Sequence, residues 1–317
     1  MSVELPQVAV VAYARSDPDQ ETAGLSEAEL LLPVLGEVLG RAGLRPGEAG
    51  FTCSGSSDYL AGRPFSFTLA LDSVGAWPPV AESHVEMDGA WALYEAWVRL
   101  LTGEARTALV YAHGKASAGE LDRVLTRQLD PYYLAPLWPG PEALAGLQAR
   151  ALIDAGELAE EPSEDPGQDG PRGGDGAAAM VLAAGDTARR MCDRPAWIRG
   201  IDHRIEPQGL GLRDLTDAPS ARLAAERAGA QDAPVRVAEL HTPYRAQEVV
   251  LRKALGLGPE VEVHTGGADP VMVAGLIRLG EAAARIHRGE TGRVLAHATS
   301  GPCLQQNLVA VLEGERG

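Results

Sequence analysis

Short apolar runs alternate with longer amphipathic segments along this chain. The first run, within residues 7–13, reads Val-Ala-Val-Val-Ala-Tyr, which is typical of a strand buried on both faces. Residues 26–42 then show helical periodicity, with Ser26 as the expected N-cap and Glu29 placed to complete a capping box. Strands that alternate with helices in this way predict a layered α/β fold.

The same order of elements returns in the second part of the chain, which predicts two duplicated α/β halves. The long amphipathic segment at 270–287 is predicted to be one helix, with Pro270 near its first turn, where a missing N–H costs nothing. The other predicted elements are strands at 51–54, 107–112, 177–184, 196–203, 235–240, 261–264, 293–299 and 308–312, and helices at 88–101, 142–155, 220–228 and 245–255.

Between the halves, residues 157–176 show no apolar period. They include seven acidic residues, one arginine and several prolines and glycines. Such a composition cannot bury enough apolar surface to offset the entropy of ordering, so it predicts a mobile surface loop. We therefore expect an N-terminal half at 1–134, a shortened loop region with an acidic linker at 135–176, and a C-terminal half at 177–317.

The composition excludes several classes of function. The formal net charge is −16 and basic residues cluster only in pairs, which argues against a nucleic-acid partner. The N-terminus has neither a basic region nor a long apolar run, so we expect no signal peptide, and no apolar run is long enough to span a membrane. Three widely spaced cysteines indicate neither a disulfide framework nor a zinc site, which favours a reducing cytoplasm. No dinucleotide-binding glycine motif follows the first strand.

One segment resembles a known catalytic motif whose nucleophile is missing. Residues 82–97 contain Glu-Met-Asp-Gly-Ala-Trp-Ala, in which Gly89 and Ala92 match the tail of the thiolase segment Cys-x-Ser-Gly-x-x-Ala. Glu86 holds the place of the reactive cysteine. Together with four further segments, this one resembles the thiolase superfamily in order and spacing, and most closely the actinobacterial lipid-transfer-protein branch related to the thiolase domain of sterol carrier protein X. The further segments are 53–62, 103–111, 135–137 and 175–182.

The resemblance implies that the other catalytic motifs are altered as well. In the segment where thiolases carry Asn-Glu-Ala-Phe, His241 stands for the asparagine and Tyr244 for the phenylalanine. Asp269 precedes the proline of the former Gly-His-Pro motif. In the last motif, Gly301 stands for the cysteine and Cys303 for the first glycine. The resemblance thus implies a thiolase-like αβαβα fold with a truncated loop domain and four replaced catalytic positions.

Thiolase chemistry needs a thiolate and a base that activates it, and neither Glu86 nor Asp269 can supply that pair. Relatives in the same branch that also lack the cysteine look like aldolases, which cleave a β-hydroxyacyl-CoA on a steroid side chain. Such a retro-aldol reaction needs a base for the β-hydroxyl proton and donors for the thioester enolate. The resemblance implies that the fold brings four catalytic candidates to the old cleft, with Cys303 as a fifth: Tyr244, His241, His264 and Asp269.

Each candidate also has a structural interpretation. Glu86, a substrate-binding candidate by position, is expected instead to accept backbone N–H groups at the entrance of the helix that follows it. Cys303 is equally consistent with a buried thiol, and His264 with a satisfied core histidine. Asp58 and Tyr59 follow a serine-rich turn, where they could line a substrate or subunit contact or serve only the turn.

Three functions remain open at this point. The first is a C–C lyase, or one subunit of it, that acts on acyl-CoA thioesters of sterol-like or other bulky lipids. The resemblance implies that it forms a thiolase-fold dimer, pairs with a zinc-ribbon/OB-fold protein and needs no tightly bound cofactor or metal. The second is a non-catalytic subunit that scaffolds an active thiolase or aldolase partner. The third is an acyltransferase that uses Cys303.

Overall fold

The computed structural model describes residues 5–17, 22, 24–62, 64–159, 173–266 and 269–315, and of Asp269 only the backbone. Most of the predicted acidic linker, residues 160–172, lies outside these ranges. Within them, no helix is both long enough and apolar enough to cross a membrane.

The described residues form one large mixed sheet. Ten strands are hydrogen-bonded in the order β3-β2-β4-β5-β1-β6-β11-β10-β7-β8, and the short β9 pairs with the start of β5. The strands are β1 (Val8–Arg15), β2 (Phe51–Gly55), β3 (Glu82–Val85), β4 (Thr107–Lys115), β5 (Gly173–Ala184), β6 (Ala196–Ile205), β7 (Val237–Leu240), β8 (Glu262–His264), β9 (Asp269–Pro270), β10 (Arg293–Ser300) and β11 (Gln306–Glu313).

Helices of very different lengths connect these strands. The predicted capping box of the first helix is present, because the Ser26 hydroxyl accepts from the Glu29 N–H at 3.3 Å and the Ser26 N–H donates to the Glu29 carboxylate at 2.8 Å. The helices are α1 (Glu27–Ala42), α2 (Asp58–Ala61), α3 (Leu71–Val74), α4 (Gly89–Leu101), α5 (Leu121–Arg127), α6 (Pro141–Asp154), α7 (Asp186–Met191), α8 (Pro219–Arg227), α9 (Arg245–Leu255) and α10 (Ala274–His287).

The strand order reveals the predicted duplication. Read outward from the centre, one half is β1-β5-β4-β2-β3 and the other is β6-β11-β10-β7-β8, and β1 and β6 pair antiparallel where the halves meet. β5, which the sequence pattern placed in the second half, pairs with β1 and β4 of the first. Judged by strand pairing, the first half therefore ends with β5 and the second half begins with β6.

Three large hydrophobic clusters give the fold its layers. The helices α4 and α10 pack together between the two half-sheets and contribute to a core shared by both. On the outer face of the first half-sheet lies α1, and on the outer face of the second lie α8 and α9. The sequence of layers is α, β, α, β, α, as predicted.

The start of the last long helix was predicted four residues too early. The helix expected from 270 begins at Ala274, and Pro270 belongs to β9 instead. Met272 has φ +71°, a left-handed conformation that cannot continue an α-helix, and its carbonyl accepts the Gly89 N–H at 2.9 Å. A contact with the other half thus delays the start of α10.

A single buried carboxylate joins the N-termini of the two central helices. Asp88 caps α4, with Oδ1 accepting the Ala90 N–H at 2.8 Å. The same carboxylate accepts the N–H groups of Gly275 at 2.9 Å and Leu276 at 3.0 Å, in the first turn of α10. A Cβ on Gly275 would lie 2.5 Å from Asp88 Oδ1, so the approach requires glycine there. Asp88 therefore fixes one half of the molecule to the other.

We expect Asp88→Ala to lower the free energy of unfolding by about 3 kcal/mol, because buried N–H donors on both helices lose their acceptor. Urea denaturation followed by circular dichroism measures this loss. Ser26→Ala is the matched control, since it removes an exposed N-cap from α1 alone and should cost about 1 kcal/mol. Equal losses for the two variants would contradict the bridging role of Asp88.

Candidate functional site

An apolar cavity of about 140 Å³, here called the inner cavity, lies beside the N-termini of α4 and α9. Segments from both halves and from the region of α5 and α6 form its wall. Its apolar lining comes from Leu121, Leu125, Leu129, Pro139, Pro141, Leu144, Ala145, Pro243, Val271, Met272 and Pro302. Its polar lining includes Asp88, Thr126, Gln128, His241, Tyr244, Gln247, Thr299, Ser300 and Cys303.

His241 lies at the end of β7 and is held by the neighbouring strand β10. The backbone N–H of His241 donates to the His297 carbonyl at 3.2 Å, and its ring Nδ1 accepts the Thr299 backbone N–H at 3.4 Å. Because Nδ1 is the acceptor in this arrangement, the neutral ring carries its proton on Nε2. His241 can therefore act as a hydrogen-bond donor through Nε2.

Tyr244 lines the same cavity three residues after His241. It is the N-cap residue of α9, and its backbone N–H donates to Gln247 Oε1 at 3.2 Å. The strand end before it and the helix start after it therefore fix its backbone. The structure brings Tyr244 and His241 together, as their position on one loop predicts.

Cys303 also lines the inner cavity, but as a buried neutral thiol. Its Sγ–H donates to the Leu144 carbonyl at 3.4 Å, and it packs with Leu129 and Leu210. Burial raises the pKa of this thiol to about 11, which the positive charge of Arg213 opposes only in part. Cys303 at neutral pH is thus almost wholly protonated and a poor nucleophile.

The structure does not bring His264 to this cavity. His264 ends β8 at the edge of the sheet, where its Nε2 lies 2.8 Å from a Glu262 carboxylate oxygen. Asp269 lies in β9, paired with Gly173, and its side chain is outside the described part of the chain. Of the four candidates expected at the old cleft, His241 and Tyr244 are therefore the two that the described structure places at this cavity.

Glu86 contacts a different helix from the one expected. Its Oε1 accepts the Asp58 N–H at 2.6 Å, at the start of α2, and its Oε2 lies 3.6 Å from His84 Nε2. The N-terminus of α4 is already capped by Asp88, two residues further on. The expectation that Glu86 accepts N–H groups at the start of α4 is therefore wrong, because Asp88 caps that helix.

The Asp58 carboxylate contacts the loop after α2 rather than the serine-rich turn before it. Its two carboxylate oxygens accept the backbone N–H groups of Ser66 at 2.7 Å and Phe65 at 3.0 Å. These bonds, the Ser66 N–H foremost, lower the pKa of Asp58. Its carboxylate thus holds the loop that follows α2.

A second cavity, here called the outer cavity, has a volume of about 330 Å³ and adjoins the first. Tyr59 and Glu86 line it, so two of the three substrate-binding candidates face one space. The remaining lining residues are Ser57, Met87, Val124, Arg127, Gln128, Met272, Ser300, Gly301, Gln305 and Gln306.

Two residues of this region escaped the motif comparison. An aspartate directly before a helix start is an N-cap signal, so Asp88 could have been singled out from the sequence. Met272 carried no such signal, because its apolar neighbours continue the period of α10. In the described residues, no group of three His, Cys, Asp or Glu side chains is placed to hold a metal ion.

Comparisons with known proteins agree with this architecture. No protein-family model matches the chain, and no curated protein matches it either. Among solved structures, human mitochondrial 3-ketoacyl-CoA thiolase matches with a TM-score of 0.72 and 14% identity, over 99% of this chain and 100% of that one. The acetyl-CoA acetyltransferase of Bacillus anthracis matches with a TM-score of 0.68 and 16% identity, over 98% of this chain and 99% of that one.

The same human thiolase in complex with CoA matches with a TM-score of 0.69 and 13% identity, over 98% of each chain. Sequence identities this low establish a shared fold and nothing beyond it. The chain has the thiolase fold, as predicted.

We expect Cys303 to resist alkylation by iodoacetamide in the folded protein at pH 7.5. With its pKa at about 11, the thiolate fraction is on the order of a hundredfold below that of a free cysteine. Peptide-resolved mass spectrometry measures the rate. The same cysteine in denaturant is the control, and equal rates in the two states would show a reactive thiol.

Proposed function

We propose that this chain binds acyl thioesters and cleaves a β-hydroxyacyl thioester by a retro-aldol reaction. The observation that carries the proposal is the pair of His241 and Tyr244 on one wall of an apolar cavity. The fold supports a thioester substrate, because a thiolase that shares it has been solved in complex with CoA.

A reaction without a covalent acyl-enzyme suits the cysteines of this chain. Burial raises the pKa of Cys303 to about 11 and that of Cys53, inside β2, to about 12. Cys192 is half-buried against the hydrophobic cluster on the outer face of the first half-sheet, and burial also raises its pKa. An acyl transfer would need a thiolate that none of these environments favours.

The retro-aldol step requires two functions from the cavity wall. A base takes the proton of the β-hydroxyl group as the Cα–Cβ bond breaks, which releases a carbonyl compound and leaves the electron pair on the thioester enolate. The enolate then takes a proton at Cα. We propose that the Nε2–H of His241 stabilises the enolate oxygen, and that Tyr244, as its phenolate, receives the β-hydroxyl proton and returns it to Cα.

The size of the inner cavity limits which part of the substrate it holds. An engineered apolar cavity of about 150 Å³ accommodates benzene. At about 140 Å³ the inner cavity has room for the reacting carbons and a short apolar group, so the bulk of a sterol-like substrate would extend beyond it. A lipid side chain, rather than a whole ring system, is the proposed occupant.

The partners are proposed on the resemblance described above. A thiolase-fold dimer and a zinc-ribbon/OB-fold protein would complete the assembly that acts on the substrate. The assay must therefore include the chain alone and the chain with the proteins that co-purify with it.

We expect Tyr244→Phe and His241→Ala each to lower kcat/KM for a β-hydroxyacyl-CoA by about a hundredfold, because each removes a group that acts in bond cleavage. The release of the carbonyl product is followed by chromatography. Tyr132→Phe removes a hydroxyl from an exposed tyrosine and is the matched control. Unchanged cleavage by both cavity variants would refute the assignment.

A second candidate function is a non-catalytic subunit that shapes a partner's active site. It is favoured because Glu86, at the position of the replaced nucleophile, has a structural contact: its carboxylate accepts the first N–H of α2. Under this alternative, cleavage appears only with the partner, and Tyr244→Phe and His241→Ala in this chain leave it intact. The same assay therefore separates the two functions.

A further inference from the structure

We propose that Met272 sets the size of the acyl group that this protein accepts, by separating the inner cavity from the outer cavity. The inference rests on the proposed function only in taking acyl thioesters as the ligands.

The two cavities share one stretch of wall. Gln128, Met272, Ser300 and Gly301 line both of them. Ser300 and Gly301 belong to the end of β10 and the turn after it, and Gln128 follows α5. Among these four residues, Met272 has the long apolar side chain, so it supplies the hydrophobic part of the partition.

The backbone of Met272 is held in a conformation that methionine disfavours. Its φ of +71° is left-handed, where glycine is the unstrained residue. The Met272 carbonyl accepts the Gly89 N–H, and a Cβ on Gly114 would lie only 1.9 Å from the Val271 carbonyl oxygen. The loop is therefore clamped against α4 and β4, and a bulky side chain is retained at a position that favours glycine.

The space beyond this partition is lined in part by apolar side chains. Tyr59, Met87 and Val124 line the outer cavity together with Met272. Without the methionine side chain, the 140 Å³ of the inner cavity would continue into the 330 Å³ of the outer one. An acyl chain that now ends at Met272 could then extend further.

The test is the chain-length dependence of binding. We expect the affinity of the wild type to rise with each added methylene up to a cutoff, in a series of saturated N-acetylcysteamine thioesters from butanoyl to dodecanoyl. Met272→Ala should remove the cutoff, so that affinity continues to rise about fourfold per methylene. Isothermal titration calorimetry measures both profiles. These thioesters lack a β-hydroxyl group and cannot be cleaved.

Two further variants serve as controls. Met272→Leu keeps the bulk at the same backbone position and should retain the cutoff. Met87→Ala removes a methionine that lines the outer cavity alone and should also retain it. Circular dichroism establishes that each variant is folded.

Identical profiles for the wild type and Met272→Ala, including no binding by either, would overturn the inference. The inference would also be overturned if Met87→Ala lengthened the accepted acyl chain as much as Met272→Ala does. A longer accepted chain in Met272→Ala together with no cleavage of a β-hydroxyacyl-CoA would refute the proposed reaction and leave the role of Met272 standing.

Discussion

The carboxylate of Asp88 is the interaction on which the arrangement of this molecule depends. The N-termini of α4 and α10 carry partial positive charge and converge from the two halves of the sheet. Asp88 accepts hydrogen bonds from both, so a single negative group compensates the two ends at once. The starts of these helices fix residues 86–88 and 271–272, which contribute to the walls of the two cavities. The site is therefore built at the junction that holds the halves together.

Most of the fold could be predicted from the sequence, because its strands are buried on both faces and its longer helices are amphipathic. The boundaries of α9 were predicted to the residue. The start of α10 was not, because Val271, Met272 and Val273 continue its apolar period while a hydrogen bond to Gly89 holds them outside the helix. Short helices such as α2 and α3 contain too few residues to show a period. Tertiary contacts, which local patterns do not contain, decide these positions.

The candidate site was predictable where its residues share one loop. His241 and Tyr244 are three residues apart between a strand and a helix, so chain connectivity alone keeps them close. His264 depends on strand order, and pairing places it beside Glu239 at the edge of the sheet. Glu86 and Asp88 are two acidic residues that precede the same helix, and the sequence does not distinguish them as caps. The structure shows that Asp88 caps the helix. Long-range geometry, rather than residue type, separates these outcomes.

Backbone strain near the cavities bears on the choice between a ligand site and a purely structural remnant. Of the five non-glycine residues with positive φ in the described chain, Met272 and Cys303 line the inner cavity and Leu304 follows directly. Each left-handed residue of this kind costs about 1–2 kcal/mol. Glycine would avoid the cost but would enlarge the cavity. The walls are thus shaped by side chains at positions that favour glycine, and backbone strain of this kind concentrates at functional sites. That combination favours a cavity that selects a ligand over one left behind by lost chemistry.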